Sequence, residues 1–509
     1  MRIWRRSPQT LLVIIGVLMG LALLPTVSGC VQGPTSKISQ VIQAVGDRFQ
    51  PLPEDAQQEY DRFANVFRKY AKAGSDADDQ LKYFGFAFKR IRTSYVRNID
   101  DATLMDAAIK GVQEKKPEAA NLPPAELVEA ALDAITASLD PHSGFMNARE
   151  FRESFVHTKG EFGGLGIEVT MEDGLVKVVA PIEDTPAAQA GMQSGDLIVK
   201  VDGEEIRGLT LAQAVRRMRG KPGAPIQLLV RRAGVVDFDV TIVRAIIKVR
   251  AVRWQTIGRI GYVRVSRFSE RVDSGMVKAF AEIRAELGGN PTGIVLDLRN
   301  NPGGLLDQSV ILADAFLNDG EVVSVRGRTP QNQRSFKAVD GDMAAGLPMI
   351  VLVNGGSASA SEIVASALKN HGRATVMGSR TFGKGSVQTI IPMPVEGALR
   401  LTTALYYGPD GQTIQARGVE PNIIIEAAQK PKTPGRREAD LPGAIPAQKK
   451  ANMKDTVPKI AAESCPAADA PVRTGREKTE DRVLGCAIAF LEAGSEKRFL
   501  AAYGTRQQM

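Results

Sequence analysis

The N-terminal part of the chain carries apolar residues at helical spacing. Between residues 36 and 155 they recur every three to four positions, first from Tyr83 to Val96 and again from Leu127 to Leu139. This spacing places the apolar side chains on one face of a helix, which buries that face against a neighbour. The pattern therefore predicts a helical region, and a platform of this kind is suited to self-association.

Further along the chain the pattern changes twice. Residues 160–246 contain short apolar runs separated by glycine turns, with two short helical segments among them, which predicts a small β-rich unit. In residues 247–426 buried strands such as Gly293–Leu298 and Met349–Asn354 are followed by helical segments. This alternation predicts a sheet covered by helices, with functional residues at the carboxyl ends of the strands.

The first thirty residues have the pattern of an export signal. Three arginines precede the apolar run Leu11–Leu24, which is shorter than the roughly 20 residues that span a bilayer. Val27-Ser28-Gly29-Cys30 follows and resembles a bacterial lipobox, in which the Cys is lipidated. We expect a cleaved signal peptide and a periplasmic protein anchored to a membrane through Cys30. An ordinary signal-peptidase site and an uncleaved anchor are the alternatives.

The composition excludes some classes of protein and makes others less favoured. Of 509 residues 43% are hydrophobic and 24% charged, which is typical of a globular protein and excludes a disordered or fibrous one. A net charge of +8 without a block of consecutive Lys or Arg gives little support to nucleic-acid binding. Three scattered His argue against a metal site. In an oxidising compartment Cys465 and Cys486 form either a disulfide or two buried thiols.

Ser359 is the candidate nucleophile. It follows a buried strand, lies between Ala358 and Ala360, and begins a helical segment. Small neighbours leave room for a substrate backbone, and the free N–H groups and dipole of a helix N-terminus favour a developing oxyanion. The alternative is that Ser359 only caps the helix, as Ser357 or Ser361 could also do.

The sequence offers no clear Ser–His–Asp set, because His142, His157 and His371 lie far apart. A lysine is an alternative base if burial lowers its pKa toward neutrality. Lys384 stands between two glycines, where a solvated turn lysine is the ordinary interpretation. The spacing from Gly378 to Lys384 also approaches that of a phosphate-binding loop, but a glycine replaces the Ser or Thr that would hold Mg²⁺.

Five motifs in this order resemble the C-terminal processing peptidases, the tail-specific serine proteases known as CtpA, Prc or Tsp. The resemblance covers residues 80–426, most of the expected mature chain. The motifs are Leu139–Ser143, Phe162–Ile167, Leu296–Gly304, Asn354–Glu362 and Gly383–Gln388.

The resemblance implies a role for each matching residue of the catalytic part. Ser359 attacks a peptide carbonyl, Lys384 takes the serine proton and returns it to the leaving amine, and Gln388 orients the lysine. The N–H groups of Gly304 and Ala360 form the oxyanion hole. No cofactor is implied.

The resemblance also implies a PDZ domain in residues 160–246. Its loop would hold the C-terminal carboxylate of a substrate, which then adds as a strand and places its last side chain in an apolar pocket. Arg219 corresponds in position to an arginine that couples peptide binding to assembly of the active site in some members. The loop residues are Gly164, Leu165, Gly166 and Ile167.

The expected protein is therefore a multidomain α/β serine endopeptidase that acts on proteins with apolar C-termini. It has a helical N-terminal region, a sandwich- or barrel-like PDZ domain with two helices, and a protease core resembling the ClpP/crotonase-type fold. A catalytically silent PDZ scaffold and a protease that needs an adaptor lipoprotein are the alternatives, and a homo-oligomer stays open. The predicted divisions are 1–29 signal peptide, 30–159 helical region, 160–246 PDZ domain, 247–426 protease core and 427–509 linker and tail.

Overall fold

A computed structural model describes most of the chain after the predicted signal peptide. The described residues are 51–72, 76–115, 122–159, 161–182, 185–248, 250–426, 436–447, 457–469 and 480–504. The predicted signal peptide and Cys30 lie outside them. Within these ranges no helix has both the length and the apolar character needed to cross a membrane.

The N-terminal region packs its helices through the predicted apolar faces. Their bounds are α1 Glu54–Tyr70, α2 Asp76–Ser94, α3 Asp101–Glu114 and α4 Pro124–Leu139. Phe88 of α2 and Ile135 of α4 are fully buried, as the two apolar stripes predict. Helices α3 and α4 approach closely at Gly111, where a Cβ would lie 2.5 Å from the carbonyl oxygen of Ala130.

A small antiparallel sheet follows the helical region. The connecting elements are β1 Gly144–Met146, α5 Ala148–Lys159 and β2 Glu161–Gly164. The sheet and its helices are β3 Ile167–Glu172, β4 Leu175–Pro181, α6 Pro186–Gln189, β5 Leu197–Val201, β6 Glu204–Glu205, α7 Leu211–Met218, β7 Pro225–Arg231 and β8 Phe238–Val243. The strand order is β3-β4-β5-β7-β8, with β6 on β5. Strand β9, Ala245–Lys248, returns to pair with β2, so this ribbon joins the two ends of the unit.

The largest sheet is mostly parallel. Its strands are β10 Val252–Ile257, β11 Ile260–Val265, β12 Gly293–Asp297, β15 Met349–Val353, β16 Thr375–Gly378, β19 Ile423–Glu426 and β20 Lys459–Ala461, which is also their order in the sheet. Only β10 and β11 pair antiparallel. Strands β12 and β15 are buried along their whole length, as their continuous apolar runs predict for central strands.

One face of this sheet shares an apolar core with helices α8 Val272–Glu286, α9 Leu306–Asp314 and α10 Ala360–Asn370. A second sheet contributes to that core. Its own strands are β13 Glu321–Gly327, β14 Gln333–Lys337, β17 Ser386–Pro392 and β18 Ala398–Tyr407. Strand β1 pairs with β18, so the helical region reaches the protease part of the chain at this sheet.

Residues after 426 contribute to the largest sheet and its second core, although the sequence predicts only a linker and tail there. After β20 come β21 Ala468–Asp469, β22 Glu480–Asp481, α11 Arg482–Ala493 and α12 Glu496–Tyr503. Helices α11 and α12 pack on the second face of the large sheet. A disulfide joins Cys465 to Cys486 with an S–S distance of 2.09 Å, and Arg299 forms an ion pair of 2.6 Å with Asp481. The tail is therefore fixed to the sheet.

Candidate active site

Two motif loops meet at the carboxyl ends of β12 and β15, where the sheet order places them side by side. The fully buried Asn301 ties them together. Its amide nitrogen donates to the carbonyl of Val265 at 2.8 Å, and its side-chain oxygen accepts from Gly303 N–H at 2.9 Å. Its carbonyl accepts from Ala358 N–H at 3.0 Å and from the Ser361 hydroxyl at 2.9 Å. The glycine loop is therefore held against the serine loop.

The three serines at the start of α10 have different roles. The hydroxyls of Ser357 and Ser361 donate to the carbonyls of Leu298 and Asn301 at 2.8 and 2.9 Å, and both side chains are fully buried. Ser359 keeps 9% of its surface exposed and has φ 55° and ψ −113°. A non-glycine residue with this φ is strained, and such strain concentrates at functional sites. Ser357 and Ser361 therefore have structural roles, whereas Ser359 keeps some exposed surface and a strained backbone.

Glu362 connects the serine to the lysine loop, which we define as Thr381–Gly385. Its carboxylate accepts four hydrogen bonds: from Ser359 N–H at 2.7 Å, Gly383 N–H at 2.7 Å, Lys384 N–H at 2.9 Å and the Thr381 hydroxyl at 2.5 Å. The side chain is fully buried. Sequence reasoning quoted Glu362 only as the end of a motif. Its spacing of three residues after Ser359, typical of a capping box, was the available signal.

Burial dominates the electrostatics of Glu362. Removal of the carboxylate from water raises its pKa to about 7, although the four donors favour the ionised form. The group therefore changes its charge close to neutral pH. Because it contacts the backbone of both Ser359 and Lys384, its protonation state bears directly on their placement.

Lys384 is partly buried, and burial lowers the pKa of its ammonium group. The positive charge of Arg400 acts in the same direction, while Glu438, Asp140 and Glu362 oppose it. A lysine with a lowered pKa has the property that a general base needs. In the described residues no hydrogen bond joins the Ser359 hydroxyl to the Lys384 amine, a contact that often tightens only when substrate binds.

Gln388 lies on β17 and its amide points to a polar network. It donates to the Ser386 hydroxyl at 2.9 Å and to the Thr402 hydroxyl at 3.3 Å. Thr402 donates in turn to Asp140 at 3.0 Å. Within the described contacts Gln388 makes no hydrogen bond to Lys384, so its predicted orienting role stays a prediction.

The two predicted oxyanion donors have no acceptor among the described residues. Neither Gly304 N–H nor Ala360 N–H donates a backbone or side-chain hydrogen bond there. A Cβ at Gly303 would lie 3.0 Å from the nitrogen of Ala360 and 2.9 Å from the Cβ of Ser359, so this glycine keeps the space in front of the serine open. Gly304 has φ 145°, and a Cβ there would lie 2.0 Å from the carbonyl oxygen of Phe268. The loop requires both glycines.

The predicted peptide-binding loop runs from Gly164, the end of β2, to Ile167, the start of β3. The carbonyls of Leu165 and Gly166 accept from Ala187 N–H at 2.9 Å and Ile182 N–H at 2.8 Å. The N–H groups of Leu165 and Gly166 donate to no described residue. The loop is therefore held by its carbonyls, and its donors have no acceptor among the described residues.

Arg219 directly follows α7, and the next residue contacts the ribbon formed by β2 and β9. Gly220 N–H donates to the carbonyl of Gly163 at 3.4 Å. A Cβ at Gly163 would lie 2.1 Å from the carbonyl oxygen of Gly220. Arg219 therefore lies where the helix of the small sheet meets the connection to the protease part, and its predicted coupling role stays a prediction.

The side chains of His142 and His371 bond to groups other than Ser359. His371 follows the far end of α10 and bonds the carbonyl of Glu321 at 2.8 Å, and His142 bonds Glu438 at 2.8 Å. His157 lies in α5. Across the described ranges no group of His, Cys, Asp and Glu is arranged to hold a metal ion.

Comparisons with known proteins identify the family of the chain. Residues 259–425 match the sequence profile of peptidase family S41, and residues 177–232 match that of a PDZ domain. The chain is therefore a serine-type peptidase that carries a PDZ domain.

Individual relatives define the family more closely. The carboxy-terminal-processing protease of Bartonella bacilliformis is 51% identical over 352 residues, which are 68% of this chain and 75% of that protein. The carboxy-terminal processing protease CtpA of Bacillus subtilis is 31% identical over 365 residues, 71% of this chain and 72% of that one. This chain belongs to the carboxy-terminal-processing protease family, which confirms the resemblance of the five motifs. A solved photosystem II D1 C-terminal processing protease is 27% identical, with a TM-score of 0.42, over 68% of this chain and 92% of that chain.

Proposed function

We propose that this protein is a periplasmic serine endopeptidase that binds the C-terminal segments of its substrates through the PDZ domain and cleaves them with Ser359 and Lys384. The observation that carries the proposal is the Glu362 carboxylate, which accepts N–H bonds from both residues at 2.7 and 2.9 Å. A nucleophile and its base act together only when their relative position is fixed. Glu362 provides that fixation from within a buried helix.

The proposed reaction assigns one step to each of these groups. Neutral Lys384 accepts the Ser359 proton as the hydroxyl oxygen attacks the substrate carbonyl carbon. The N–H groups of Gly304 and Ala360 donate to the oxyanion that forms, and one such donor typically contributes about 2.7–4 kcal/mol of barrier lowering. The lysine then protonates the leaving amine, and water hydrolyses the acyl group on Ser359 with Lys384 again as base.

The PDZ loop accounts for the choice of substrate. The unoccupied N–H groups of Leu165 and Gly166 are suited to a terminal carboxylate, and the adjacent β3 edge is suited to an extended peptide. We expect substrates to have apolar, uncharged C-termini, because the buried cluster next to this loop is apolar. The cluster under the sheet includes Leu165 and Met218.

The periplasmic location rests on two independent features. Residues 1–29 have the export pattern described above, with Cys30 as the expected lipidated residue. The disulfide between Cys465 and Cys486 is typical of an oxidising compartment.

Labelling cells with a radioactive fatty acid tests the lipid anchor at Cys30. We expect label on the wild type and none on Cys30→Ala; equal label would contradict lipidation at Cys30.

Degradation of an unfolded reporter with an apolar, uncharged C-terminus tests the activity. We expect the mature wild type to cleave it, Ser359→Ala to be inactive, and Ser366→Ala, a control two turns along the same helix, to remain active. Cleavage by Ser359→Ala would contradict the assignment of the nucleophile. If wild type acted only after periplasmic extract was added, the adaptor-dependent alternative would replace a self-sufficient protease. Peptide binding without any cleavage would favour the silent scaffold.

A further inference from the structure

A second buried carboxylate lies close to the lysine loop. Glu438 is fully buried in the segment 436–447, beyond the residues that match the S41 profile. An isolated buried charge is costly, so its partners show what it is built to contact. Its carboxylate bonds His142 Nε2 and Gln415 Nε2, each at 2.8 Å. His142 is 296 residues from Glu438 in the chain and Gln415 is 23 residues from it, so neither bond is local.

Glu438 and Gln415 together hold the backbone on both sides of Lys384. Glu438 N–H donates to the carbonyl of Phe382 at 3.2 Å. Gln415, also fully buried, accepts from Gly385 N–H at 2.9 Å with its side-chain oxygen. A Cβ at Gly385 would lie 2.2 Å from the backbone nitrogen of Gln415. The lysine loop therefore has no room to move on this side without breaking the contact to Gln415.

The charge of Glu438 also acts on the lysine. The charged groups that face Lys384 are Glu362 on α10, Asp140 after α4, Arg400 on β18 and Glu438. The negative charge of Glu438 opposes the effect of burial on the pKa of Lys384. Removal of this negative charge should therefore make Lys384 neutral at lower pH.

We propose that Glu438 is a positioning residue for the reaction: it holds the lysine loop through Phe382 and Gln415, and its charge acts on the Lys384 amine. His142 holds Glu438 in place and so links the helical region to the catalytic loop. The inference rests on the proposed role of Lys384 as the base. It assigns a function in the reaction to the predicted tail segment and to the Asp140–Ser143 motif.

The test uses Glu438→Gln in the mature protein, because glutamine keeps the shape and removes the charge. Glu426→Gln is the matched control, since Glu426 is half exposed in an ion pair with Lys459. We expect the acid limb of the kcat/KM profile to move to lower pH by about half a unit or more in Glu438→Gln. The control should coincide with wild type. An unmoved limb in Glu438→Gln would overturn the proposal.

A second readout separates this inference from the proposed function. In a Ser359→Ala background, the rate of Lys384 acetylation by acetic anhydride is followed against pH by mass spectrometry. The labelling curve should move to lower pH with Glu438→Gln, and an unmoved curve would overturn the inference even if the wild type proved inactive. Loss of all cleavage in wild type, with the labelling curve still shifted, would contradict only the proposed function.

Two more variants keep the test decisive if Glu438→Gln does not fold. Gln415→Met removes the bond to Gly385 at similar volume, and we expect kcat to fall about tenfold while KM stays within twofold. An unchanged kcat would overturn the positioning role. His142→Ala removes one of the two side chains that hold the Glu438 carboxylate in place, and it should shift the limb by less than Glu438→Gln. His371→Ala is its control and should not shift the limb.

Discussion

Two glycine-bearing loops of this protein use their backbone N–H groups in opposite ways. In the lysine loop the successive N–H groups of Gly383–Gly385 donate to the buried side chains of Glu362 and Gln415. In the peptide-binding loop the N–H groups of Leu165 and Gly166 donate to no described residue, while their carbonyls are bonded. The donors of the lysine loop bond a carboxylate of the protein itself, Glu362 on α10, whereas those of the peptide-binding loop have no acceptor among the described residues.

This difference separates two tasks that look alike in sequence. A catalytic loop has to be arranged before the substrate arrives, because its groups stabilise only a transition state that fits them. A recognition loop has to leave polar groups unpaired, because a partner will bond them. Changes to the lysine loop should therefore reduce kcat, and changes to the peptide-binding loop should alter peptide affinity and KM.

Lys384→Ala should separate the loops most strongly. Without its base, cleavage should fall by about 10⁴-fold, whereas the affinity for a peptide with an apolar C-terminus should stay within twofold. Steady-state cleavage and peptide titration on the same preparation measure both quantities. Lys278→Ala, an exposed lysine on α8, is the control. Full activity in Lys384→Ala would refute the dyad.

Glu362→Gln should remove the carboxylate that the lysine loop bonds. Both oxygens of Glu362 accept N–H bonds, so whichever way the amide is turned, at least one buried N–H group loses its acceptor. Such a loss costs about 1–3 kcal/mol, and we expect kcat to fall by roughly 10- to 100-fold with peptide affinity unchanged. An equal loss of peptide affinity would show that the two loops are not independent.

The same variant has a pH signature in stability. The pKa of Glu362 is raised from 4.5 to about 7, so the fold favours the protonated carboxyl. Its contribution to the free energy of unfolding is therefore present at low pH and lost as pH rises from about 4.5 through 7. Urea unfolding across this range should show a slope in wild type that Glu362→Gln reduces. Equal slopes would contradict the raised pKa.

Acidification should lower the activity that depends on the lysine loop and leave the peptide affinity of the peptide-binding loop unchanged. In the proposed mechanism activity requires neutral Lys384, and burial lowers the pKa of this lysine from 10.5, which moves its titration toward neutral pH. Below that pKa the rate should fall about tenfold per pH unit, while peptide affinity stays level down to the range where the peptide carboxylate protonates. Glu362 titrates nearby, so a limb that survives in Glu362→Gln belongs to Lys384. A flat rate profile would count against a lysine base.

The sequence pattern predicted those helices, strands and loops whose formation depends on residues close together in the chain. The apolar stripes gave α2 and α4, the continuous apolar runs gave β12 and β15, and the motifs placed Ser359 and Lys384 in loops that the structure connects through Glu362.

Long-range pairings were out of reach of the same pattern. His142 and Glu438 are 296 residues apart, and a buried glutamate looks in sequence like any exposed one. Strand β20 has only three residues, too few to show a period of two. Its place in the sheet is decided by its pairing with β19, which the residues of β20 alone do not encode.

Gly166→Ala should give the smallest of these effects, and it should act on the peptide-binding loop alone. Gly166 has φ 81°, and a Cβ there would lie 2.2 Å from the Cβ of Thr185, so the loop must shift and its N–H donors turn away from the peptide carboxylate. Gly191→Ala is the matched control, because Gly191 has φ 76° and no neighbouring atom within 4 Å; it carries the backbone strain without the collision. We expect peptide affinity to fall about tenfold in Gly166→Ala and to stay near wild type in the control. The kcat for a short substrate that does not reach the PDZ domain should be unchanged in both. If Gly166→Ala lost kcat on that short substrate and Gly191→Ala did not, the peptide-binding loop would help to arrange the lysine loop. The two loops would then not have separate tasks.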